Sequence, residues 1–222
     1  MMFLVYLLAM AIGFTWCESL KAACNPKSLI EHWEGRMPCV YLDSKGIKTI
    51  GVGYNMNNKE APAVFRSIGA DFEKFYNGPV TPSKQKCNCN AVPCLTQQQV
   101  NKLFDISVKT AIGDAAKVIS TFSSLCCPVQ NVMVDMAFTL GLSRFLPFTL
   151  FSSLVEREFW KAAGDDLTVS KWCVHDSPRR CLSDAATVSK GCGCSGSHPQ
   201  ACDVQASSCC ASTAEQTCCR GG

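Results

Sequence analysis

Two acids, Glu34 and Asp43, stand with eight residues between them, and Thr49 follows after five more, within the stretch WEGRMPCVYLDSKGIKTIGVGY. Two carboxyls brought from separate elements to one bond are what acid-catalysed cleavage of a glycosidic linkage needs. One gives a proton to the departing oxygen, and the other stays charged beside the sugar ring. A hydroxyl next to the second acid can hold a water molecule. Taken singly, each acid reads as solvated surface, and Asp-x-x-Gly is an ordinary turn. The conjunction with a glycine-rich strand is what gives the pattern weight.

These residues need a helix and a hairpin to position them. Asn25-Pro26 reads as a helix start, Leu29, Ile30 and Trp33 as its apolar stripe, and Gly35 as its stop, so Glu34 falls at the helix end. Cys39 to Leu42 then predicts a strand, Asp43 to Gly46 a turn, and Ile47 to Tyr54 a return strand. Alternation puts Lys48, Ile50, Val52 and Tyr54 on one face and Thr49, Gly51 and Gly53 on the other. The second face carries a hydroxyl and bare backbone, open to close approach by an extended chain such as a saccharide.

The pattern Glu34-x8-Asp43-x5-Thr49, flanked by Tyr41, Gly46, Ile50, Gly51 and Gly53, resembles the active-site signature of phage-type lysozymes, glycoside hydrolase family 24. The resemblance runs from about Leu29 to Val188, with an insertion near Thr81 to Cys94. It implies an α+β, lysozyme-like fold in which a small β-hairpin lobe faces a mainly α-helical lobe across a cleft. It further implies Glu34 as proton donor, Asp43 and Thr49 as holders of an attacking water, and inversion at the sugar carbon. Ala137 to Gly141 is similar to the family's cleft floor, where Phe138 and Gly141 would border bound sugars. Arg180, in Trp172…Pro178-Arg179-Arg180, matches the arginine that faces the catalytic glutamate, with one extra residue between the tryptophan and the proline. Tyr54 stands where the family commonly has histidine. The implied substrate is bacterial peptidoglycan, with no cofactor and no metal. A chitinase on the same scaffold and a non-catalytic wall-binding protein are the alternatives.

Composition is compatible with this. The 222 residues carry a net charge of +3, far from the basic bias of a nucleic-acid binder. Residues 1–19 read as a signal peptide, residues 20–190 as the catalytic domain and residues 191–222 as a cysteine-rich tail, on a chain expected to be a secreted or vacuolar monomer without stable membrane insertion. Removing Cys17 with the signal leaves 16 of the 17 cysteines, nine between Cys24 and Cys181 and seven in the tail; full pairing within one chain then requires a bridge from tail to body. Cys87, Cys89 and Cys94 predict a stapled loop, with zinc as the rival reading, and Cys192, Cys194, His198 and Cys202 have a zinc-like look within what reads as a disulfide framework. A cysteine protease finds no support, because His32, His175 and His198 lack a matching nucleophile motif.

The other helices follow from apolar spacing. Glu60 to Tyr76 predicts one helix, Thr96 opens another through a capping box with Gln99, and Pro128 opens the most apolar one, with Val129, Val132, Met133, Met136 and Leu140. Pro147 to Ala163 predicts a further helix stopped at Gly164.

Overall fold

The computed structural model describes residues 24–81 and 86–193. The expected signal peptide and Cys194, His198 and Cys202 of the tail lie outside the described residues. In chain order the elements are α1 (Lys27–Glu34), β1 (Met37–Leu42), β2 (Lys48–Gly51), β3 (Tyr54–Asn55), α2 (Ala61–Ser67), α3 (Phe72–Tyr76), α4 (Gln97–Val118), α5 (Cys127–Leu140), α6 (Leu142–Phe145), α7 (Thr149–Glu156), α8 (Trp160–Thr168) and α9 (Pro178–Lys190). The fold is α+β, a small antiparallel sheet joined to a helical body. Among the described residues, no helix is long and apolar enough to cross a membrane.

The sheet differs from the expected two-stranded hairpin. Gly51 and Gly53 take left-handed φ values of 69° and 66°, which interrupts the extended run and turns Tyr54 back to pair with Ile50. The return strand is therefore two strands, in the order β1-β2-β3. The expected open face is also corrected. A Cβ on Gly53 would lie 2.7 Å from Glu34 Oε2, and one on Gly51 would lie 3.3 Å from Leu103 Cδ2. The space the glycines leave is taken by Glu34 and Leu103.

The helical body is built around α5, whose Val129, Val132, Met133, Met136 and Leu140 are all buried as their spacing predicts. It packs on α4, whose capping box of Thr96 and Gln99 closes in both directions. The predicted helix from Glu60 to Tyr76 is two, because Gly69 turns left-handed and Asp71 caps a new start by accepting from the Glu73 and Lys74 amides. The predicted Pro147 to Ala163 helix also splits, at Glu158, and Gly164 lies inside α8 instead of stopping it. A Cβ on Gly164 would fall 2.7 Å from the Ala185 carbonyl oxygen, so the glycine lets α8 and α9 pack backbone to backbone.

Five disulfides cross-link the described residues: Cys24–Cys127, Cys39–Cys87, Cys89–Cys94, Cys126–Cys192 and Cys173–Cys181. The stapled loop is held as expected, one bridge within it and one to β1. Cys126–Cys192 joins the start of the tail to the body. Two of the bridges have a common anchor. Cys24 precedes α1, Cys192 follows α9, and both are tied to the adjacent Cys126 and Cys127 at the start of α5. The three helices α1, α5 and α9 are thus pinned at one point. The Cys24–Cys127 loop spans 103 residues, for which chain-entropy reasoning gives a stabilisation on the order of 4–5 kcal/mol.

Candidate active site

Glu34 is the last residue of α1, and Gly35 behind it takes φ 67° to turn the chain into β1. Its carboxylate lies against the Gly53 backbone and accepts a hydrogen bond from Arg180 Nη1 at 2.5 Å, with 18% of the side chain exposed. The acid is therefore held from two sides and still reaches solvent.

Asp43 sits at the β1–β2 turn, where its Oδ1 accepts from the Lys45 and Ile47 amides, both at 2.8 Å. One oxygen fixes the turn, and the side chain is half-buried. Thr49 follows on β2, 5% exposed, its hydroxyl donating to the Ile47 carbonyl at 3.1 Å. That same carbonyl accepts from the Asp43 amide at 3.0 Å. Ile47 thus joins Asp43 and Thr49 into one rigid unit. Tyr41, which pairs with Thr49 across the strands, feels both acids. Burial, then the charges of Glu34 and Asp43, push its phenol up to about 12.

Arg180, at the start of α9, is buried and not a surface charge. Its Nε donates to Asp135 Oδ2 and its Nη2 to Asp135 Oδ1, both at 2.7 Å, a planar fork on one carboxylate, while Nη1 reaches Glu34. Burial opposes its charge, but the hydrogen bonds and charge of Asp135, with those of Glu34, hold the guanidinium pKa above its usual value. Among the expected substrate-binding residues, Arg180 thus spends its donors on two carboxylates. Phe138 is half-buried on α5 with its ring edge-on to Phe104, 6.2 Å between centroids. Gly141 ends α5 at φ 71°, and a Cβ there would meet nothing within 4 Å. Tyr54 is buried, and its hydroxyl has no hydrogen-bond partner among the described residues.

Two residues of this site were not anticipated. Asp135, 0% exposed, lies in the middle of α5, and Asp184, 1% exposed, lies one turn beyond Arg180 on α9. Burial first, then the charge and hydrogen bond of Asp135, raise the Asp184 carboxyl to about 9, against a smaller opposing pull from Arg180. The available signal was a lone acid inside the apolar run VMVDMAF, which has to find a buried cation.

The chain is similar to two proteins of Dictyostelium discoideum. It is 27% identical over 158 residues to "Probable T4-type lysozyme 1", covering 69% of this chain and 87% of that protein. It is 23% identical over 150 residues to "Probable T4-type lysozyme 2", covering 66% and 83% respectively. No family model matches the chain. By these likenesses and by its α+β architecture, the chain is similar to the phage-type lysozymes.

Proposed function

We propose that this chain is a secreted muramidase, which hydrolyses the β-1,4 bond between N-acetylmuramic acid and N-acetylglucosamine in peptidoglycan. The observation that carries the reading is the pairing of two differently held acids. Glu34 is clasped by Arg180 at the tip of α1, while Asp43 and Thr49 are locked together on the hairpin through Ile47. Glu34 protonates the leaving glycosidic oxygen. Asp43, whose Oδ1 is held by two backbone amides, orients the attacking water with its other oxygen and takes the water's proton. Thr49, which donates to Ile47, keeps its lone pairs to accept a hydrogen bond from that water. Water delivered from the hairpin side while the proton comes from α1 gives inversion at the anomeric carbon.

The names of the relatives support lysozyme chemistry, and the five disulfides support work in an oxidising compartment. Residues 1–19 serve as the export signal, residues 20–190 as the catalytic domain and residues 191–222 as a cysteine-rich tail. Phe138 and Gly141 line the sugar-binding floor. The test is product analysis on peptidoglycan and on chitin, with NMR of the first-formed anomer. New N-acetylmuramic acid reducing ends in the α-configuration are expected. Retained β-configuration would overturn inversion, and release of N-acetylglucosamine ends from chitin alone would assign the chain to chitin.

A further inference from the structure

We propose that Asp135, backed by Asp184, is the positioning residue of Glu34, fixing the Arg180 guanidinium and neutralising its charge so that Glu34 can hold the proton it donates. The inference rests on the reading of Glu34 as general acid, and its basis is the geometry behind that residue.

Arg180 makes three hydrogen bonds to carboxylates, two of them to Asp135. A fork on one carboxylate sets the plane of the guanidinium, and with it the direction of the third N–H toward Glu34. The supporting elements are fixed as well. Glu34 comes from α1, Asp135 from α5, and Arg180 and Asp184 from α9, the three helices pinned together by Cys24–Cys127 and Cys126–Cys192. From the sheet side, Tyr41 senses both Glu34 and the hairpin acid Asp43, and it stays neutral through the working range.

The charges decide the rest. Three acids surround one cation, and the two deepest acids are no more than 1% exposed. Asp184 Oδ2 is buried with no hydrogen-bond partner among the described residues, and a carboxyl so placed is tolerated only when it carries a proton. Asp184 therefore carries one, since burial and the neighbouring Asp135 charge both disfavour its ionised form. With Asp184 neutral, Asp135 and Arg180 cancel. The cluster is then neutral when Glu34 is protonated and singly negative when Glu34 is ionised. Without the Asp135 charge the order reverses. The ionised Glu34 would then make the neutral cluster, and the acid form would leave an unbalanced buried cation.

The experiment is the pH profile of kcat/KM for wall lysis with Asp135→Asn and Asp184→Asn, alongside Glu34→Gln, each checked for folding by thermal melt. In Asp135→Asn the alkaline limb moves to lower pH by about one unit or more, the effect of an opposite charge left uncompensated nearby. In Asp184→Asn, which replaces a neutral donor by another, the alkaline limb keeps its position. An unmoved limb in folded Asp135→Asn overturns the proposal. So does a limb in Asp184→Asn that moves down, since it would mean that Asp184 was charged; this second variant decides the matter if Asp135→Asn does not fold. Lysis retained by Glu34→Gln would instead refute the general-acid reading itself, and separates that failure from this one.

Discussion

Replacing Arg180 by Leu removes the cation that the buried Asp135 shares with the partly exposed Glu34. The Arg180 side chain is 6% exposed and that of Asp135 is 0% exposed, so solvent cannot take over the lost interactions. Breaking a buried pair by removing one partner typically costs about 3–5 kcal/mol, because the survivor is left as an uncompensated charge. At about 2–4 °C per kcal/mol for a chain of this size, the melting temperature falls by roughly 6–20 °C. The loss also depends on pH. In the variant, Asp135 takes up a proton on folding, whereas an unfolded aspartate releases its own near pH 3.9. The folded state then binds the extra proton, so stability falls as pH rises, by about 1.4 kcal/mol per unit for one group. Urea denaturation at pH 5 and pH 8 measures both effects, with the larger deficit expected at pH 8. A deficit under about 1 kcal/mol, equal at the two pH values, would refute the reasoning and reduce the pair to a surface ion pair.

Three further outcomes follow from the same geometry. Asp184, whose folded carboxyl is raised to about 9, keeps its proton where the unfolded chain has lost it. Its contribution is complete below about pH 4 and is lost as pH rises toward 9, so Asp184→Asn flattens the decline of stability between pH 6 and 9 in calorimetric scans; an unchanged slope would count against the neutral acid. Gly53→Ala places a methyl at 2.7 Å from Glu34 Oε2 on backbone held at φ 66°, and should lower lysis roughly 100-fold with a stability loss of about 1–2 kcal/mol. Activity within twofold of wild type would mean that Glu34 has slack. Thr49→Val keeps the shape of a buried β2 residue but loses the hydroxyl, and should lower kcat by 10-fold or more with KM little changed; an unaltered kcat would remove Thr49 from the chemistry.

The part of this molecule that could be read from its sequence is the part written in local spacing. Glu34 at a helix end, Asp43 in a turn, the capping box at Thr96 and the apolar stripe of α5 each depend on residues a few positions apart. The structure places all four where spacing put them. What spacing concealed was set by neighbours distant in the chain. Gly51 and Gly53 read as thinly furnished strand, yet they turn the chain and make room for Leu103 and for Glu34, which lies two elements before Gly53. Gly164 reads as a helix stop, yet it is the point where α8 meets the Ala185 backbone. Asp135 sits in a run of core residues, and only the arrival of Arg180, 45 positions later, explains an acid there.

The central claim is that Glu34 is the proton donor in glycosidic cleavage. It is tested most directly by the lytic rate of Glu34→Gln on purified bacterial walls, with the melt confirming that the variant is folded. Loss of a general acid costs about 10²–10⁴-fold in rate, and a fall of that size at undiminished wall binding is the predicted result. A folded Glu34→Gln that clears walls at the wild-type rate would contradict the account.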